Sequence, residues 1–164
     1  MNTEPNAHDG GCTCGHVRYR MTSNPMIVHC CHCTWCQRET GSAFAVNALI
    51  ETDRVQLLQG AAEGVDTPTA SGQPLTIWRC PKCQVAVWSN YSLPGGLANA
   101  IRFVRVGTLD DPGKVPPDIH IFTSTKQSWL ELPQEAQVVL EYYDRKTLWP
   151  QDSLDRRQAL LDAV

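Results

Sequence analysis

The eight cysteines of this 164-residue chain fall into three groups. Cys12 and Cys14 come first, then Cys30, Cys31, Cys33 and Cys36, then Cys80 and Cys83. The spacings are C-x-C, C-C-x-C-x-x-C and C-x-x-C. Thiols clustered in this way are cross-linked, cycled between redox states or wrapped around a metal, and two of these outcomes pin distant parts of a chain together. The opening stretch, MNTEPNAHDGG, is polar and lacks an apolar segment, so it does not read as a secretory signal. No apolar run approaches the roughly 20 residues a spanning helix needs. The expected compartment is the cytoplasm, where reducing conditions favour metal ligation or catalysis over disulfides.

Residues two apart in extended backbone point to the same face. Cys12 and Cys14 can therefore aim at one point, and so can Cys31 and Cys33. A C-x-x-C turn such as Cys80-Pro-Lys-Cys83 brings two sulfurs together. Structural zinc takes four ligands in a tetrahedron. The division that follows sets Cys12, Cys14, Cys80 and Cys83 around one zinc. The loop this closes is long, so metal binding would contribute folding free energy directly. A pair of disulfides, or buried free thiols, is the alternative.

The middle group then keeps Cys31, Cys33 and Cys36, with Cys30 on the opposite strand face. Three thiolates leave one tetrahedral position for water or substrate, as catalytic zinc sites do. Such a zinc is a modest Lewis acid, yet it can hold a thiol as thiolate or polarise a carbonyl. The competing arrangement is a shell closed by His29, His32 or Cys30, and His29 shares the strand face of Cys31 and Cys33. An iron–sulfur cluster also takes cysteine ligands. A redox pair at Cys33/Cys36 or Cys80/Cys83 is a further alternative, though neither pair sits in a βαβ pattern.

The remainder of the chain bounds the fold. Hydrophobic residues make up 42 % and charged residues 19 %, with net charge −3. That balance is globular and lacks the positive surplus that grips nucleic acid, and no membrane partner is expected. Residues 1–9 are expected to be a disordered tail. HVRYRM alternates, with Val17, Tyr19 and Met21 on one face and Arg18 and Arg20 on the other, as a half-buried strand does. PMIVHC, AFAVNALIE, RVQLLQG, LTIWRC, VAVWSNY, IRFVRVGTL and DIHIFT read as further strands, with Trp78 and Trp88 in the core. TWCQRET before Gly41 reads as a short helix or turn. Residues 60–74 are rich in Gly, Pro, Ser and Thr and read as a loop. Residues 153–164 read as a helix with Leu154, Leu160, Leu161 and Val164 as packing residues. The fold class is mostly β, antiparallel, with little helix and a short C-terminal helix. One domain spans 10–132, and the extension 133–164 packs on it.

Four segments in order, GGCTCGHVRYR, CHCTWCQRETGSAF, CPKC and HIFTSTKQSWLEL, resemble the glutathione-dependent formaldehyde-activating enzyme (GFA) family, whose domain centromere protein V-like proteins share. The resemblance covers residues 10–132. It implies a β-tent fold of small antiparallel sheets pinned by zinc. It implies two Zn2+ per chain: a structural one held by Cys12, Cys14, Cys80 and Cys83, and a catalytic one held by Cys31, Cys33 and Cys36. It implies carbon–sulfur lyase chemistry of the S-(hydroxymethyl)glutathione synthase type, with glutathione or a similar small thiol and an aldehyde as partners. The chain departs from the family pattern in two places. Gln84 follows the last C-x-x-C where family members usually carry Gly, and Cys30 is an extra sulfur.

Several residues are candidates for roles around that chemistry, each with a plainer role in packing or at the surface. His32, within the ligand run, and His29 can carry the proton that reaches the new hydroxyl. Ser42 and Phe44 follow the cluster and can line a pocket. Arg38 and Lys126 can pair with a glutathione carboxylate. Trp129 belongs either to the core or to a wall of the site with His120 and Lys126. The competing function is a zinc-stabilised binding or thiol-redox module. A homo-oligomer is compatible with the sequence, which fixes no symmetry.

Overall fold

A computed structural model describes residues 6–92 and 96–163. Among them are ten strands in two sheets. A three-stranded sheet has the order β1-β2-β5, from β1 (His8–Gly11), β2 (Arg18–Met21) and β5 (Val55–Gln59). A seven-stranded sheet has the order β10-β3-β4-β9-β8-β7-β6. Its members are β3 (Ile27–Cys31), β4 (Ala45–Glu51), β6 (Glu63–Thr67), β7 (Leu75–Arg79), β8 (Ala86–Tyr91), β9 (Ile101–Arg105) and β10 (Ile119–Ile121). Helix α1 (Thr34–Thr40) follows β3, and α2 (Arg145–Leu148) and α3 (Gln151–Asp162) close the chain. The fold is mostly antiparallel β, as the sequence predicts. The one parallel pairing among the described strands joins β10 to β3.

The large sheet is covered on both faces. On one side, Val17 and, from the small sheet, Tyr19, Met21 and Val55 pack against Val28, Ala48, Ile50, Trp88 and Val104. On the other, Ile27, Leu49, Ile101, Ile119 and Ile121 pack against Trp149, Leu154, Leu160 and Leu161 of the C-terminal segment. This explains why all five residues of β3 are buried: neither of its faces meets solvent. The β2 alternation is realised, with Val17, Tyr19 and Met21 fully buried. Arg18 and Arg20 point outward into ion pairs with Asp110 and Asp9.

Three expectations need correction. Residues 8–9, expected in the disordered tail, belong to β1, whose His8–Gly11 pairs with β2. Glycine is what lets them do so: a Cβ on Gly10 would sit 2.6 Å from the Tyr19 hydroxyl. Residues 60–74, expected as one loop, contain β6, whose five residues pair with β7. Val65 is the one aliphatic side chain of β6, and it is exposed, so this edge strand carries no apolar alternation. Trp129 is 71 % exposed and belongs to no core cluster. Residues 1–5 and Val164 lie outside the described residues.

Candidate functional site

The three cysteine groups become two sulfur clusters and one mixed cluster. Cys12 and Cys14 follow β1, and Cys80 and Cys83 follow β7. Their four sulfurs lie within 4.8 Å of one another. Cys12 and Cys14 are 3.5 Å apart, and Cys14 and Cys80 are 3.7 Å apart. A zinc–sulfur bond of about 2.3 Å in a tetrahedron places sulfurs about 3.8 Å apart. All eight cysteines are free thiols, so no disulfide accounts for the approach. The donor set fits a closed four-thiolate metal site. Both knuckles turn through positive φ: Gly15 at 75° and Gln84 at 61°. Gln84 thus adopts the left-handed conformation that glycine takes without steric cost.

The second cluster grows from strand alternation and one helical turn. Cys31 ends β3 on the face toward the C-terminal segment. Cys33 caps α1, its sulfur accepting from the Cys36 backbone N–H at 3.4 Å. The sulfurs of Cys31, Cys33 and Cys36 converge within 4.8 Å. Hydrogen bonds from Cys31, then from Cys36, favour the thiolate of Cys33 and lower its pKa. Hydrogen bonding to Cys33 pushes Cys31 up. So crowded a set ionises once easily, and further ionisation calls for a cation, which is how a metal-binding thiol set behaves.

The residues proposed to close that shell are engaged elsewhere. His29 does share the face of Cys31, but its Nε2 lies 2.6 Å from the Tyr143 hydroxyl. That oxygen also accepts the Trp149 indole N–H at 2.7 Å. All three groups are satisfied when Tyr143 donates to His29. Burial holds the His29 pKa down at about 4, consistent with a neutral acceptor ring. Tyr143 and Trp149 come from the C-terminal extension, and nothing in the cysteine motifs announces them.

Cys30 and His32 face the other side of β3, and there they meet His120. The parallel register sets His120 beside Cys30. His32 Nε2 lies 3.5 Å from the Cys30 sulfur and 2.9 Å from His120 Nδ1. The two imidazole planes differ by 23°, so the nitrogens meet nearly edge to edge. Cys30, His32 and His120 are a third group whose donors could hold a metal. His32 is fully buried, His120 partly exposed. Burial, then the charges of His120 and Lys126, lower the His32 pKa to about 4. His32 Nδ1 is buried with no hydrogen-bond partner among the described residues.

The other expected neighbours separate. Phe44 packs its ring 5.6 Å from His32 and lines a cavity of about 380 Å3. Ser42 and Arg38 are exposed and do not line it. Lys126 spends its ammonium on the carbonyls of Gln127 and Leu130. The cations that line the cavity are Arg79 and Arg105, both paired with Glu39. Sequence reasoning missed all three, because the contact joins α1, β7 and β9. No helix among the described residues is long and apolar enough to cross a membrane.

A Halomonas elongata protein described as "Putative glutathione-dependent formaldehyde-activating enzyme" is 25 % identical over 137 residues, covering 79 % of this chain and 83 % of its own. A crystal structure of a Rhodobacter sphaeroides protein matches 62 % of this chain and 87 % of its own, with 18 % identity and a TM-score of 0.44. The family model "Glutathione-dependent formaldehyde-activating enzyme" matches residues 7–125. The chain belongs to the glutathione-dependent formaldehyde-activating enzyme family.

Proposed function

We propose that this protein is a zinc-dependent carbon–sulfur lyase of the synthase type. It condenses a small thiol of the glutathione kind with formaldehyde or a related aldehyde to an S-hydroxymethyl adduct. The observation that carries the reading is the contrast in donor sets: four thiols at Cys12, Cys14, Cys80 and Cys83, against three at Cys31, Cys33 and Cys36. Four thiolates complete a structural tetrahedron, and three leave a coordination position for a reactant. The first set would hold a structural zinc and the second a catalytic one. When bound by Cys31, Cys33 and Cys36, zinc supplies acidification of a thiol and polarisation of a carbonyl.

In the reaction, the thiol loses its S–H proton, a carbon–sulfur bond forms, and the carbonyl oxygen becomes a hydroxyl. One proton therefore leaves sulfur and one reaches oxygen. His32 and His120 are the pair that would move it. A neutral imidazole accepts at one nitrogen while donating at the other, so it relays without holding a net charge. His32 Nε2 faces His120 Nδ1 at 2.9 Å, and its buried Nδ1, which has no partner among the described residues, is the nitrogen left to exchange a proton. His120 is the more exposed ring and offers the outlet to solvent. His29, tied to Tyr143, positions the β3 face and takes no proton in this scheme.

The test is metal analysis of the purified chain followed by an NMR assay of S-hydroxymethylglutathione formation. Two zincs per chain and a rate above the spontaneous condensation are expected. A fully loaded protein that leaves the spontaneous rate unchanged would sink the reading.

A further inference from the structure

The site as described handles sulfur and a proton but holds nothing that recognises the remainder of a glutathione-like thiol. The cavity beside the α1–β4 connection supplies what is missing. Thr40, on its wall, donates to the Cys36 carbonyl at 2.8 Å. Phe44, also on its wall, touches His32. Ala45, also on the wall, pairs with Cys31 across β3 and β4, so the cavity lies one residue from the three-thiol cluster and from the histidine pair, while Gln84 and Val85 bring in the Cys80–Cys83 knuckle. Its volume of about 380 Å3 lies within the range of small-molecule sites.

Its charge is unusual. Arg79 and Arg105 each place a terminal guanidinium nitrogen 2.7 Å from a different oxygen of Glu39. Two cations share one anion, which leaves a surplus of one positive charge. Arg79 also donates to the Gln84 carbonyl, and Arg105 to the Asn47 side chain. Each fork is thereby fixed, yet neither is exhausted: a guanidinium carries five N–H donors. Arg105 Nε is buried with no partner among the described residues. Preorganised forks with spare donors are the chemistry that selects carboxylates.

We infer that this cavity binds a carboxylate of the thiol substrate, with Arg79 and Arg105 as the recognition pair and Glu39 as the group that holds them in place. The inference rests on the proposed reading of the neighbouring thiol site and narrows its substrates to small thiols bearing a carboxylate. Thiols without one would lack the anchor, whatever their reactivity.

The experiment uses the full chain loaded with zinc and a probe that cannot act as a thiol. S-methylglutathione retains both carboxylates, and its dimethyl ester retains neither. Calorimetric titration should show the acid binding at least about tenfold tighter than the ester, as one charge-assisted contact predicts. Arg79→Met should remove most of that preference, and Arg79→Lys should keep part of it, since the charge remains and the fork is lost. Equal binding of acid and ester by the unaltered protein overturns the inference without recourse to any variant. So does an acid preference that survives Arg79→Met. Carboxylate-selective, Arg79-dependent binding without accelerated condensation would sustain the cavity assignment and refute the reaction. Accelerated condensation without carboxylate selectivity would do the reverse.

Discussion

The four-thiol and three-thiol clusters differ more in their surroundings than in their sulfur. The first is made by two surface knuckles, with Cys14 exposed, and lies at one edge of the core between the sheets. Its β7 knuckle reaches the same cavity through Arg79, Gln84 and Val85, but no histidine pair accompanies it there. The second sits under a roof of Phe122, Tyr143 and Trp149 and beside a cavity lined by arginines. Closed donor sets lend themselves to holding a fold, and incomplete ones within a shaped, partly dry site lend themselves to chemistry. The difference teaches that function here belongs to the company a cluster keeps.

The sharpest way to break that comparison is to remove one sulfur from each cluster. Cys80→Ser should abolish the folded domain, because Cys80 is fully buried and its cluster joins loops after β1 and β7. Cys33→Ser should lower the zinc content by one while leaving a cooperatively folded protein, because α1 is short and none of its residues is buried. Metal analysis with thermal unfolding distinguishes the two. Equal loss of fold in both variants would mean that both clusters are structural.

Next in size is Tyr143→Phe. It leaves His29 Nε2 and the Trp149 indole N–H without their shared partner. Each buried polar group left unpaired costs ~1–3 kcal/mol. A fall of about 2 kcal/mol or more in unfolding free energy is expected by urea titration. The d–d spectrum of the cobalt-substituted protein should not change. A new nitrogen signature would mean that the tyrosine is what withholds His29 from the metal.

The regions also differ in what could be read from sequence. Even spacing made Cys31 and Cys33 converge, and C-x-x-C made the Cys80–Cys83 knuckle, so both sulfur clusters were legible. The β2 alternation was legible because one of its faces is solvated. β6 was not, because Gly64, Val65 and Asp66 at a sheet edge carry no burial signal. The Glu39–Arg79–Arg105 arrangement was invisible because residues 40 and 66 positions apart meet only after three elements assemble. Arg38 is exposed on α1 and lines no part of the cavity, in keeping with the plainer surface role its sequence position allowed. The Tyr143 roof could not be foreseen from the motifs, since it lies past their last segment.

Acid should act on the large sheet through a contact remote from either cluster. Burial raises the Glu51 carboxyl, but the Arg156 fork at 2.5 and 2.7 Å more than offsets it, and the net pKa falls below its ordinary 4.5. A depressed folded-state value means that the contribution is complete above the unfolded pKa and is lost as pH falls through the folded one. Stability should therefore decline below about pH 4.5, beyond whatever decline loss of a metal bound at the thiol clusters would add. Arg156→Met removes the Glu51 part, so its stability relative to the unaltered chain should converge as pH drops. Urea titrations across pH 3–7 measure this. A difference independent of pH would show that Arg156 acts by packing α3 alone.

The smallest effect probes the strain in the four-thiol cluster itself. Gln84 holds φ at 61°, where a side chain costs roughly 1–2 kcal/mol relative to the right-handed region. Its amide donates to the Pro81 carbonyl at 3.2 Å, an exposed bond that returns little. Its main-chain carbonyl, which accepts from Arg79, is present in any residue. Gln84→Gly removes the strain and keeps that carbonyl, while adding entropy to the unfolded chain. The balance favours glycine by about 0.5 kcal/mol, or a rise of one to two degrees in Tm. If the knuckle is a passive staple, zinc affinity at this cluster rises slightly and S-methylglutathione binding at the cavity stays as it was. A loss of binding would instead show that Gln84, which lines the cavity beside Arg79, couples the staple to the reactive half of the molecule.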